Sequence, residues 1–199
     1  MVNGVASSLA ATVSGTSTSG SDTTNSVALA AGDTLTIRSV PNSSPTGGIT
    51  PAFGIVFTPT NTGENFMGFG SASAPSASAI NYEQILGIGN QAWSATESGR
   101  YMMPGPCTLR GLHIKLGTAP GVGASRTFTI RKSTGDTALA VTISGASTTG
   151  SISGNVECAQ GEFFLLKSSV TGTPAALTGG VHAGLLLYND PKSPVVMIY

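Results

Sequence analysis

A stretch of this chain occurs twice. Leu9–Gly20 returns as Leu139–Gly150, so that Val13-Ser14-Gly15 matches Ile143-Ser144-Gly145. Ala31-Gly32-Asp33, followed by Leu35, Ile37 and Arg38, returns as Gln160-Gly161-Glu162, followed by Phe164, Leu166 and Lys167. Pro45 matches Pro174, Phe53–Phe57 matches Ala183–Leu187, and Phe66–Phe69 matches Val196–Tyr199. The offset is 130 at Leu9 and 129 at Gly32, and the other matches keep to those two values. A constant period marks duplication of one structural unit, and any fold assigned to the chain has to accommodate it. The 199 residues hold about one and a half copies. The chain is therefore expected to begin inside a unit, near a hairpin turn at Asn3-Gly4.

The composition fits such a unit with a real core and an unusual surface. Hydrophobic residues make up 40%, but only 9% are charged, against roughly 25% in an average soluble domain. Disordered chains combine low hydrophobicity with high charge, so disorder is excluded. Nine basic and nine acidic residues leave a formal charge of zero, a balance that favours association over dispersal. Small, uncharged side chains can pack against neighbours without stripping water from ions. No basic run offers a phosphate-binding face, so no nucleic acid partner is expected. No apolar run is long enough for a membrane helix. Met1–Ser7 lacks the basic start and apolar stretch of a signal peptide, implying use without that export route or numbering that begins after processing.

Hydrophobic periodicity points to strands. Leu112, Ile114 and Leu116 alternate with His113 and Lys115, and Leu139, Val141 and Ile143 with Ala140, Thr142 and Ser144. Phe128 and Ile130, and in the first copy Leu35 and Ile37, are spaced the same way. Alternation of this kind puts one strand face in a core and the other outward. No window repeats its apolar residues at helical spacing over three turns. Asn81–Leu86 could form a single helical turn or a strand. Turn residues separate the runs, with Ser133-Thr134-Gly135-Asp136 and Asn3-Gly4 as equivalent hairpin turns. The expectation is an all-β, jelly-roll-like β-sandwich in about one and a half copies. A partial repeat spans residues 1–60 and a complete domain 65–190. Its strands are expected near 65–70, 82–89, 99–103, 107–117, 126–132, 138–145, 155–159, 162–169 and 182–188. Ser71–Ala79 reads as an exposed loop, and 191–199 as a C-terminal strand for intersubunit contact.

Residues that could carry chemistry are sparse. His113 and His182 fall in separate strands without a carboxylate or cysteine at ligand spacing, and His113 alternates away from the core. Cys107 and Cys158 form no disulfide framework and fit no metal-ligand spacing. Cys158 falls where the first copy has Leu29 or Ala30, which suits a small buried hydrophobe. The carboxylates are scattered, but Asp33 and Glu162 match after a turn glycine, as residues accepting backbone N–H bonds there would. Gly87–Ala92 imitates a dinucleotide loop, with no long helix following it. Asn42-Ser43-Ser44 is a formal glycosylation acceptor, relevant only in a eukaryotic secretory route. Tyr82, Trp93 and Tyr101 could touch a sugar or a partner, although packing is the commoner fate of such rings. No catalytic residue, cofactor or metal site is expected.

Two runs carry a resemblance. Thr118–Ile130, a turn, and Leu139–Gly145 resemble a β-domain of tailed-bacteriophage virion structural proteins of the capsid decoration or fibre type, and Val27–Ile37 looks like the closing half of the same domain. The resemblance implies a virion component without enzymatic activity. The chain is accordingly expected to be a capsid decoration or cement protein, or a fibre component, located in the virion. Its partners would be copies of itself, in a trimer or repeating array, and other virion proteins, with no membrane. Leu35, Ile37, Val195, Val196, Met197, Ile198 and Tyr199 are the expected interface residues, since a half copy leaves apolar strand faces and bare edges to be covered. Two other readings stay open: a carbohydrate- or receptor-binding fibre module using Trp93, Tyr101 and Tyr82, and a subunit of an extracellular filament built by strand exchange.

Overall fold

The computed structural model of the protein describes residues 1–42, 53–71, 73–85, 92–97, 101–103 and 105–189. Val195–Tyr199, the match of Pro45 with Pro174, and most of Gly87–Ala92 and Asn42-Ser43-Ser44 lie outside these residues. The chain divides into two units, Met1–Ile55 and Val56–Tyr199.

The larger unit is a two-sheet sandwich of antiparallel strands, with no helix among the described residues. In chain order the strands are β1 (Glu64–Ser71), β2 (Asn81–Glu83), β3 (Tyr101–Met102), β4 (Cys107–Leu116), β5 (Gly121–Lys132), β6 (Gly135–Gly145), β7 (Thr149–Cys158), β8 (Phe163–Thr171) and β9 (Val181–Tyr188). One sheet runs β1-β9-β4-β7. The other runs β2-β8-β5-β6, with β3 also on β8. Successive strands after β3 mostly cross between the sheets, and only β5 and β6 form a hairpin within one sheet. This interleaving is jelly-roll connectivity.

The alternating residues form the core. Leu112, Ile114 and Leu116 of β4 and Val181, Leu185 and Leu187 of β9 are buried from one side, and Phe128 and Ile130 of β5 and Leu139, Val141 and Ile143 of β6 from the other. Phe164, Leu165 and Leu166 are buried in succession on β8, so this strand is covered on both faces. Asn81–Glu83 is strand, Gln84 and Ile85 do not continue it, and the rest of the strand expected at 82–89 lies outside the described residues. Two strands begin five or more residues before their expected starts. β5 begins at Gly121 because its ladder resumes across an irregularity between Gly121 and Ser125. β7 begins at Thr149, where Gly150, Ser151 and Ser153 pair with β4 despite having little apolar surface to reveal them.

Ser71–Ala79 departs from the expected exposed loop. Ser71 and Pro75 are buried. Arg126, fully buried on the inward face of β5, donates through its guanidinium to the carbonyls of Pro75, Ser76 and Ala175. A buried cation must be hydrogen-bonded, and these carbonyls tie the segment to the sandwich. Gly117 is needed at another close approach, because a Cβ there would overlap the Thr178 carbonyl oxygen.

The duplication is also geometric. In the smaller unit Val2 bridges Leu35, and in the larger Lys132 pairs with Phe164. Asn3 N–H donates to the Thr34 carbonyl at 2.9 Å, and Ser133 N–H to the Phe163 carbonyl at 3.0 Å. Ser17 N–H donates to the Ser14 carbonyl at 3.2 Å, as Ser147 N–H does to Ser144 at 3.2 Å. Gly15 and Gly145 share a left-handed φ, 62° and 60°, which glycine adopts without steric cost. Asp33 accepts from Ala30 N–H at 2.7 Å and Glu162 from Ala159 N–H at 3.0 Å, the turn role that their matching positions suggested. Apart from the bridges Val2–Val5 and Val2–Leu35, however, no strand forms within the described residues 1–42.

The burial pattern sets the first expected outcome. Ile130→Asp should prevent folding of the larger unit, since it places an unpaired charge at a fully buried position. His182→Ala, on an exposed position, should change stability by no more than about 0.5 kcal/mol. Urea titration followed by tryptophan fluorescence separates the two outcomes.

Candidate functional site

The three aromatic residues named as possible ligand contacts meet one sheet edge through their backbones. Tyr82 of β2 lies opposite Lys167 of β8, and Tyr101 of β3 opposite Phe164. Tyr82 also exchanges two backbone hydrogen bonds with Ser94, at 2.8 and 2.9 Å, which brings in the segment carrying Trp93. The Trp93 ring packs against the core, 6.2 Å from the Phe128 ring in an edge-on arrangement. Tyr82 is half-buried, and the side chain of Tyr101 lies outside the described part of the structure.

The histidines come closer together than the sequence implied. His182 of β9 lies opposite Lys115 of β4, and His113 opposite Gly184, so the two are diagonal neighbours on the outer face of one sheet. Among the described residues no group of three His, Cys, Asp or Glu side chains could hold a metal ion. Several charged residues at the rim of the other sheet pair with one another. Arg131 contacts Glu97 and Asp136 at 3.0 Å each, Asp136 also contacts Lys167, and Lys132 contacts Glu162 at 2.9 Å.

Cys107 and Cys158 lie directly opposite each other in β4 and β7, both buried and both free thiols. Cys158 is thus buried, like a small hydrophobe, but its neighbour is the second cysteine. A hydrogen bond shared with Cys158, together with burial, pushes the Cys107 thiol up from its ordinary value. The same hydrogen bond, aided by Lys132, lowers that of Cys158 against the opposing effect of burial.

A second polar feature is buried between the sheets. Asn81 and Glu83 face inward from β2, opposite Ser168 and Leu166 of β8. Ser71 at the end of β1 donates to Glu83 at 3.4 Å, and the Asn81 side chain accepts from Ser76 N–H. Burial raises the Glu83 carboxyl to about 7, with the Ser71 hydroxyl pulling weakly the other way. The signal for this cluster was in the sequence. Arg126 is in phase with Phe128 and Ile130, and Asn81 and Glu83 flank Tyr82 at strand spacing, which puts polar residues on inward positions. The cluster joins β1, β2 and β8.

Contact surfaces are the remaining candidates. Val122 projects fully exposed between two left-handed glycines, Gly121 and Gly123. Met102 and Phe163, opposed in β3 and β8, are both exposed. In the half copy Leu35 is 38% exposed and Ile37 48%. Phe53, Ile55 and Val56 are exposed too, and Val56 is 94% so. The exposed apolar residues thus gather where the repeat is incomplete.

Two measurements follow from this geometry. Glu83 binds a proton more readily folded than unfolded, so its contribution is neutral below about pH 4 and becomes a penalty as pH rises through 7. Glu83→Gln should therefore flatten the fall in stability between pH 5 and 8 and stabilise the protein at pH 8, by at most about 3 kcal/mol. Thermal unfolding across that pH range reads the effect. Treatment with diamide should join Cys107 to Cys158 within one chain, because directly opposed strand positions meet the Cα separation of a disulfide. Mass spectrometry should then find the loss of two hydrogens in a monomer, and dimers linked between chains would contradict the pairing.

No protein-family model matches this sequence, and no curated protein matches it either.

Proposed function

We propose that this chain is a non-enzymatic structural protein of a virion, a capsid decoration or cement protein or a fibre component, that acts through contacts between subunits. The observation that carries the reading is the half copy, whose apolar residues stay exposed although they correspond to strands that line a core in the complete copy. Contiguous exposed apolar surface marks a contact site. The light and mutually neutralised charge supports the same reading, since little desolvation of ions accompanies close packing. The polar residues that the fold gathers serve packing, turns and ion pairs among themselves. Copies of the chain in a trimer or repeating array, and other virion proteins, are the partners that such surfaces suit.

Purified particles of the virus that encodes the chain provide the test. Antibody labelling in electron micrographs should decorate the particles at regular positions, and quantitative mass spectrometry should find many copies per particle. A protein present in infected cells but missing from purified particles would refute the reading.

A further inference from the structure

We propose that the half copy is the second half of a jelly roll, and that its partner is a polypeptide segment of the same kind as Glu64–Ile130. The inference rests on register and holds whatever particle the chain serves. In the complete copy β4 lies between β9 and β7, and β5 between β8 and β6. Carried back by the repeat offset, β6, β7, β8 and β9 correspond to residues 5–15, 19–29, 34–42 and 53–59. The first copy has these four and lacks the strands that belong between them. Its described residues keep the turns of the complete copy, hydrogen bond for hydrogen bond, but have no ladder along their lengths. The missing partner is thus defined by two lanes. A β4-like strand fits between 19–29 and 53–59, and a β5-like strand between 5–15 and 34–42.

The chemistry of the lanes is that of the repeat itself. Leu35 and Ile37 occupy the positions of Phe164 and Leu166, which are buried against β5 and the opposite sheet in the complete copy. Gly20 occupies the position of Gly150, and in both a Cβ would press on the residue at the matching β6 site, Val13 in one and Ile143 in the other. The corner that brings the two sheets together is therefore already built. Met1 and Val2 take the places of Arg131 and Lys132, the last residues of β5, with Thr36 N–H bonded to the Met1 carbonyl at 3.0 Å. An incoming β5-like strand would run straight into Met1.

A second copy of these 199 residues does not fill these two lanes by exchange, so contacts between copies of the chain fall elsewhere on its surface. Each copy holds one first half, Glu64–Ile130, and two second halves, so any exchange that completes one sandwich opens another. The sequence Phe66–Phe69 is matched by Val196–Tyr199, which corresponds to β1 alone, and β1 sits at the rim of its sheet, away from both central lanes.

The test joins a second Glu64–Ile130 segment directly ahead of Met1 in the full chain. Hydrogen exchange should then protect the amides of 5–15 and 34–42 at least tenfold over the unfused chain, to the level of β6 and β8. A second cooperative unfolding transition should accompany the change. The same fusion carrying Phe128→Asp and Ile130→Asp in the added segment should leave those amides unprotected, with the original 56–189 unit unaffected. Protection unchanged by the intact fusion would overturn the proposal. So would equal protection acquired by the unfused chain on self-association, measured with native mass spectrometry.

Discussion

The sandwich depends on two strands that each hold a ladder on both sides. β4 joins β9 to β7, and β5 joins β8 to β6, so these two hold four other strands, and β6 and β7 have no other ladder partner among the described residues. The same pair supplies Leu112, Ile114, Leu116, Phe128 and Ile130 to the core. Backbone satisfaction and apolar burial are therefore coupled, because a strand that loses its central neighbour loses both its ladder partners and the cover over its inward face. The first copy displays the consequence within one polypeptide. Its sequence is close enough to reproduce Gly15, Gly32 and their turns in detail, yet its described residues form no ladder. Local turn chemistry is sufficient for corners and insufficient for sheets, in keeping with the marginal stability of isolated hairpins.

Much of this was legible in the sequence because period-two alternation and turn residues are local signals. The strands at Cys107–Leu116, Gly135–Gly145 and Val181–Tyr188 follow from their alternating apolar residues, and the jelly-roll arrangement from their number and spacing. The start of β7 was not legible, since Gly150, Ser151 and Ser153 are held by cross-strand pairing with β4, a tertiary effect with no trace in propensity. The extension of β5 through Gly121–Gly123 escaped for the same reason. Among possible site residues, the outward placement of His113 could be read from its neighbours. The opposition of Cys107 and Cys158 could not, because it requires the register of two strands separated by some fifty residues. Glu83 and Arg126 lay between these cases. Their phase was readable, but the pairing that buries them beneath Ser71 and Pro75 was set by β1 and its following segment.

The buried polar residues have a physical role in specifying this packing. An apolar core tolerates rearrangement, whereas a buried guanidinium accepts few alternatives. Arg126 finds its three carbonyl partners only when the segment after β1 and the segment before β9 are both in place. It thereby links the first and last strands of the unit to a central one. Glu83 is less well served, with a long bond to Ser71 and a carboxyl that burial holds toward its neutral form. One inward position thus orders the chain and the other costs stability as it ionises.

The two copies differ in the side chains that hold their corners. Lys132 and Glu162 form an ion pair across the turn region of the complete copy. In the half copy the matching contact is the neutral-to-charged hydrogen bond from Asn3 to Asp33, at 2.6 Å. Asp22 falls at the position of Ile152, a residue that packs on the core of the complete copy. Its carboxylate accepts backbone N–H bonds from Ala10, Thr24 and Asn25, and these bonds hold it well below the usual carboxylate range. Ala10 corresponds to Ala140, which lies opposite Thr129 of β5 in the complete sheet. A side chain thus supplies, at one point, a partner for backbone that has no β5 beside it. One carboxylate can fix a corner in this way, but it cannot replace a ladder or cover Leu35 and Ile37. Their burial requires a strand with the alternation that β5 carries.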